Sequence, residues 1–321
     1  MCSGKTVGWR PSSRLLTGSF ISIHISAPRL HIAADAKKTS TSQDEMDHFN
    51  QLASTWWDVD GPQRILHKMN LLRMDFIQET IRNSLKLNED VTNPDEEIYI
   101  PGYSLDLLPK PIADQIVQEQ EFKRDLLISQ SSKLKALDIG CGGGILSESL
   151  ARLKRIESVK GIDLSTDVLE AAKLHQKLDP IVSKKIHYEL SAIEDIPAEE
   201  QYDIVTMFEV LEHVNLPNEV LASALKHVKP NGWLFISTIN RDFISWFTTI
   251  FMGEHVLKIV PVGTHHLDKY INETELQDWF KGNPDFKVVS SKGCIYLPFN
   301  GWSFTSSPNV GNFFMAIQRT K

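Results

Sequence analysis

The sequence predicts an α/β protein, a mostly parallel sheet with helices on its faces, preceded by a helical segment. Two observations carry that expectation. From Leu134 onward, apolar runs of strand length alternate with helical patterns, as parallel strands joined by crossover helices require. Between the first such run and the first such helix stands a glycine cluster, Gly140 and Gly142 to Gly144, where the chain must turn tightly.

Taken in order, residues 1–43 read differently from the rest. Lys5, Arg10, Arg14, Arg29, Lys37 and Lys38 face the single acid Asp35 among many serines. That is the composition of a mitochondrial transit peptide, and a secretory signal fits worse because Ser22 and His24 break its apolar run. The plainer alternative is a tail with no targeting role. Acids return at Asp44, Glu45 and Asp47, where the folded protein is expected to begin. Met46, Phe49, Leu52, Ala53 and Trp56 have helical spacing, and Ile65, Met69, Leu72, Phe76, Ile77, Ile81 and Leu85 make a second helical stripe. Residues 88–102, with Asn93-Pro94 and Pro101-Gly102, read as an exposed connection to a third helix over about 111–129. Together these form an expected N-terminal helical cap, residues 44–129.

Residues 130–321 hold the alternating pattern. Strands are expected at 134–139, 159–163, 186–190, 202–207, 233–239, 286–291 and 313–319, the last two as an antiparallel hairpin. After the fifth strand, Phe243, Trp246, Phe247, Ile250 and Phe251 recur at helical intervals near Arg241, Lys258 and Lys269. This makes 241–270 an amphipathic insertion, facing either a bilayer interface or the active site and a partner.

Composition excludes several classes. With 321 residues and a net charge of −7, the chain has length for a substantial core and no clustered Lys and Arg for nucleic acid. Cys2, Cys141 and Cys294 are too scattered for a disulfide framework, which fits a reducing compartment. The longest uncharged apolar stretch, 243–253, is far short of the roughly 20 residues of a membrane-spanning helix.

The chemistry is concentrated in Leu137-Asp138-Ile139-Gly140-Cys141-Gly142-Gly143-Gly144. Glycines there let a ligand approach bare backbone at a helix N-terminus. Asp163 follows at the end of the next apolar run, where a carboxylate can accept from both hydroxyls of a ribose. Loop, strand context and acid together point to an adenosine-containing cofactor. A dinucleotide would require a third glycine where Ile145 stands, so S-adenosylmethionine fits better.

The run Asp-Ile-Gly-Cys-Gly-Gly-Gly-Ile-Leu-Ser-Glu-Ser from Asp138, with Thr55-Trp56-Trp57-Asp58, Phe208-Glu209-Val210-Leu211-Glu212-His213-Val214 and Gly263-Thr264-His265-His266, closely resembles the ubiquinone-biosynthesis O-methyltransferase family from about residue 44 to the C-terminus. The resemblance implies a class I, Rossmann-like methyltransferase with a seven-stranded sheet, acting on polyprenylated catechol intermediates. It also implies peripheral attachment to the matrix face of the inner mitochondrial membrane and a place in a multi-subunit biosynthetic complex. It assigns S-adenosylmethionine contacts to Arg73, Gly140, Asp163 and Phe208, the last at a position where bacterial members carry Met.

Glu209, Glu212 and His213 follow the fourth expected strand, at the edge where open parallel sheets bind ligands. If the segment turns helically, spacings of three and four bring all three side chains together. They are the expected catalytic residues, holding a divalent cation, Mg2+ on grounds of hardness with Mn2+ or Zn2+ open. The competing reading has His213 as general base in a metal-free site. Two further alternatives are a non-catalytic subunit that docks a complex on the membrane and a methyltransferase acting on another small molecule or lipid.

Overall fold

The computed structural model describes residues 49–61, 63–84, 105–130, 132–245, 267–297 and 301–321. Eight strands form one sheet: β1 (Leu134–Ile139), β2 (Ile156–Asp163), β3 (Ile186–Leu190), β4 (Tyr202–Phe208), β5 (Val228–Ile239), β6 (Phe286–Leu297), β7 (Gly301–Thr305) and β8 (Asn312–Arg319). Their order is β3-β2-β1-β4-β5-β8-β6-β7. The first five run parallel. β8 enters antiparallel between β5 and β6, and β7 closes the far edge against β6.

The helices are α1 (Arg64–Ser84), α2 (Lys110–Gln130), α3 (Ile145–Arg152), α4 (Thr166–Gln176), α5 (Pro180–Ser183), α6 (Pro217–Lys226) and α7 (Glu273–Lys281). β4 beyond Asp203 and the second half of β5 are buried at every residue because both faces of the sheet are covered. On one face Met69, Phe76, Ile77 and Ile81 of α1 join Leu146 and Leu150 of α3 over Phe235 and Phe314. On the other, Val220, Leu221 and Ala224 of α6 and Leu276 and Phe280 of α7 cover Leu137, Val205, Leu234 and Met315.

Local chemistry sets the helix ends. The Ser165 side chain accepts from Val168 N at the start of α4, Asp179 caps α5 ahead of Pro180, and Asn272 and Glu275 make a reciprocal capping box on α7.

Two expectations require correction. The sheet has eight strands, not seven, and β6 and β8 are neighbours without being a hairpin, because β7 intervenes in the chain and pairs with the outer edge of β6. β7 is five residues long, and Trp302 within it donates its indole N–H to Ile65 O at 3.0 Å, tying the edge to α1. The expected leader 1–43, the connection 88–102, the core of the 241–270 insertion and Gly263–His266 lie outside the described residues. No described helix is long and apolar enough to cross a membrane.

Candidate active site

Strand order reverses between β1 and β4, so the loops leaving their C-terminal ends part around a crevice, the usual ligand position in such sheets. The loop after β1 carries Gly140 at φ +67° and Gly142 at φ +54°, conformations only glycine adopts cheaply. A Cβ on Gly140 would stand 2.5 Å from Val210 Cγ2, so this loop and the one after β4 abut across the crevice.

Asp163, at the end of β2, secures the loop. Its Oδ2 accepts from Gly142 N at 2.9 Å and its Oδ1 from Ser165 N at 2.9 Å. Burial raises its pKa while these backbone donors oppose the rise. Asp138, at the end of β1, forms the floor. It is buried, accepts from Ser147 Oγ at 2.6 Å and Thr206 Oγ1 at 2.7 Å, and burial lifts its pKa as well. Burial also lifts the Cys141 thiol well above its ordinary range, so that side chain serves as loop packing.

The double tryptophan lies on this loop. Trp56 covers it so closely that a Cβ on Gly143 would fall 2.1 Å from its ring. Trp57 donates its indole N–H to Gly143 O at 2.8 Å and stacks on His175, with centroids 3.4 Å apart and planes 2° from parallel.

Arg73 reaches the crevice from α1. It is buried, its guanidinium lies 5.3 Å from the Phe208 ring centroid, and its Nε has no hydrogen-bond partner. Burial lowers its pKa, opposed by the charges of Glu209, Asp138, Cys294 and Glu212. An unsatisfied buried guanidinium facing a crevice is a site for a carboxylate.

Beyond β4 the expectation of a helical turn fails. Glu209 takes the left-handed conformation, φ +55°, and only Leu211–His213 forms a 3-10 turn. The three side chains therefore do not share one helical face, although the charges of Glu209 and His213 both act on Glu212. The carboxylate of Glu209 points back to the sheet, accepting from Ser237 Oγ at 2.6 Å and Asn312 Nδ2 at 3.2 Å. Glu212 accepts from Thr238 Oγ1 at 2.8 Å. His213 packs edge-on against Phe49, with centroids 5.2 Å apart. Among the described residues no three His, Cys, Asp or Glu side chains are arranged to hold a metal ion. The two carboxylates of that set nonetheless have the right chemistry. Glu212 is buried and pushed up to about 7 by burial and then by the charge of Glu209, the strain that a cation shared between two carboxylates relieves.

Of the expected site residues, Arg73 lies over Phe208 within range of the charges of Glu209 and Glu212, Gly140 abuts Val210, and Asp163 holds the glycine loop at Gly142, while His213 packs on Phe49. Sequence reasoning missed Ser237, Thr238 and Asn312. The first two carried a signal, a polar pair ending the apolar run Leu234-Phe235-Ile236 at the ligand edge of the sheet. Asn312 carried none, because its role depends on β8 inserting beside β5.

A sheet of this order with a glycine loop, an acid at the end of the second strand and a buried arginine above them defines an S-adenosylmethionine-dependent methyltransferase. The family described as Methyltransferase domain matches residues 114–291. The chain is 64% identical, over 88% of its length and 86% of the relative's, to the mitochondrial ubiquinone biosynthesis O-methyltransferase of Candida albicans. It is 52% identical, over 88% and 89%, to that of Saccharomyces cerevisiae, and 40% identical, over 75% and 78%, to the ubiquinone biosynthesis O-methyltransferase of Hydrogenovibrio crunogenus. The chain belongs to the ubiquinone biosynthesis O-methyltransferase family.

Proposed function

We propose that the chain transfers the methyl group of S-adenosylmethionine to a catechol oxygen of polyprenylated intermediates, 3,4-dihydroxy-5-polyprenylbenzoate and demethylubiquinol. The observation that supports this reading is the buried Arg73 guanidinium, its Nε unpartnered, lying over Phe208 within range of the charges of Glu209, Asp138 and Glu212.

The residues divide the work. The Arg73 guanidinium holds the donor's carboxylate in charge-assisted hydrogen bonds, and Gly140 admits the donor against bare backbone. Asp163 has lone pairs left for ribose hydroxyls, and Phe208 walls the donor beneath Arg73. Glu209 and Glu212 orient the acceptor and draw off its proton, which matters because a phenol ordinarily titrates near 10. The chain then supplies position and electrostatics for in-line transfer from sulfur to oxygen.

A divalent cation, Mg2+ first and Mn2+ or Zn2+ next, would be held by Glu209, Glu212 and His213 after their side chains rotate, and would stabilise the phenolate as a Lewis acid. The competing role, His213 as general base without metal, is favoured by the separate placements of the three side chains. Glu212→Ala tests the part that Glu212 plays. The expected result is loss of methylation of a dihydroxy aromatic while donor binding by calorimetry persists; retained turnover removes Glu212 from the mechanism. Titration of the unliganded chain with Mg2+ alone, with and without that substitution, separates the cation from the base.

The family also supports import by residues 1–43, a cap at 44–129 over a catalytic region at 130–321, and peripheral attachment to the matrix side of the inner membrane through 241–270 beside other biosynthetic subunits. The matching mitochondrial relatives support the compartment.

A further inference from the structure

The structure assigns to Trp57 a role that no donor contact requires: it is a positioning residue that sets the shape of the glycine loop. This rests on the loop being the donor site. Its indole N–H is the partner of Gly143 O at 2.8 Å, while the N–H of the same peptide group, from Gly144, donates to Cys141 O at 3.0 Å. The Gly143–Gly144 peptide is thus held at both ends, in a loop whose glycines would otherwise give it wide conformational freedom.

The direction of the indole is itself fixed. Its face lies flat on His175 of α4 at 3.4 Å. His175 Nδ1 is 2.8 Å from Glu148 Oε1, and Arg152 Nη2 donates to Glu148 Oε2 at 2.9 Å. Glu148 is fully buried in the first turn of α3, the helix that the glycine loop opens. On the other side, the His67 ring meets the indole edge-on at 5.5 Å and its Nε2 lies 2.9 Å from Trp56 O. A chain of contacts therefore runs from Gly143 through Trp57 and His175 to Glu148 and returns to the loop through α3. Beyond Gly143 each link holds the next through a direct contact. The segment Thr55-Trp56-Trp57-Asp58 is coupled by this route to donor affinity.

Trp57→Phe keeps a smaller aromatic face on His175 and removes the N–H that Gly143 O accepts. The Kd for S-adenosylmethionine, by calorimetry on the intact chain, is expected to rise about three- to tenfold, the worth of one neutral hydrogen bond. The kcat at saturating donor and the KM for the catechol should stay within about twofold. His175→Ala, which removes the plate beneath the indole, should weaken the donor similarly. The double variant should be no weaker than the worse single one, since both break one chain. A folded Trp57→Phe variant with unchanged donor affinity overturns the proposal. So does a rise in both KM values in step with a falling Tm, or strict additivity in the double variant. If Trp57→Phe does not fold, His175→Ala decides alone, with unchanged donor affinity counting against the clamp. A wild-type chain that takes up no donor sinks the methyltransferase reading instead, so the two failures are distinguishable.

Discussion

Arg73 illustrates how a single side chain changes meaning with its surroundings. On a helix surface it would pair with Asp75, but in the fold it is buried with Nε unpartnered and Phe208 beneath it. A buried charge without a full set of partners costs stability, and a ligand carboxylate recovers that cost. Arg73→Met is accordingly expected to weaken S-adenosylmethionine by about ten- to a hundredfold, the range for a charge-assisted hydrogen bond, in calorimetry. The Tm of the unliganded chain should not fall. Glu212 makes a pH prediction. It holds its proton in the folded chain between 4.5, its ordinary value, and about 7, where the unfolded chain has already lost it. The native state therefore loses stability as pH rises through that interval and carries the full cost above it. Glu212→Gln should be more stable than wild type at pH 8, and the gap should shrink as pH falls toward 5 in urea titrations. Both residues were legible as candidates in the sequence. Their energetic states were not, because the burial of both side chains, and for Arg73 the charges of Glu209 and Asp138, come from segments distant in the chain.

At the scale of elements, the glycine loop and α1 carry the site. Gly143 does not need a positive φ; it is small because Trp56 lies on it. Gly143→Ala should therefore leave the backbone path intact and push Trp56 outward, red-shifting tryptophan emission and raising its quenching by iodide. Phe76 docks α1 on the sheet through Phe235, Phe304 and Phe314, with ring centroids 5.7 to 6.4 Å apart. Phe76→Ala should cost about 3–5 kcal/mol in chemical denaturation, as large-to-small changes of buried aromatics do. Donor affinity should drop with it, because α1 also carries Arg73. The 3.6 period of α1 and the apolar runs of β1, β4 and β5 were plain in the sequence, since each buries a repeating face. β7 was not, because in a five-residue edge strand the alternation amounts to Trp302 and Phe304 alone, too short a pattern to mark a strand. The turn after β4 misled for a related reason: the spacing Glu209, Glu212, His213 is helical, but Glu209 is held left-handed with its N–H on Ser237 O and Oγ and its carboxylate on Ser237 and Asn312.

For the whole molecule, every described element lies between residues 49 and 321, and both core faces are built from them. A chain beginning at residue 44 is expected to melt within about 2 °C of the full chain in differential scanning fluorimetry and to bind the donor equally. The α/β class, the succession of parallel strands and helices, the glycine loop with Asp163 beyond it, and the family could be read from the chain alone, because these depend on local period, on glycine's backbone freedom and on residues close in the chain. Only the tertiary structure decided the eighth strand, the seat of the two tryptophans on the glycine loop, the burial of Arg73 over Phe208, and the separate orientations of Glu209, Glu212 and His213. Each of those requires segments tens to hundreds of residues apart to meet, and no local pattern records where a side chain's distant partner will stand.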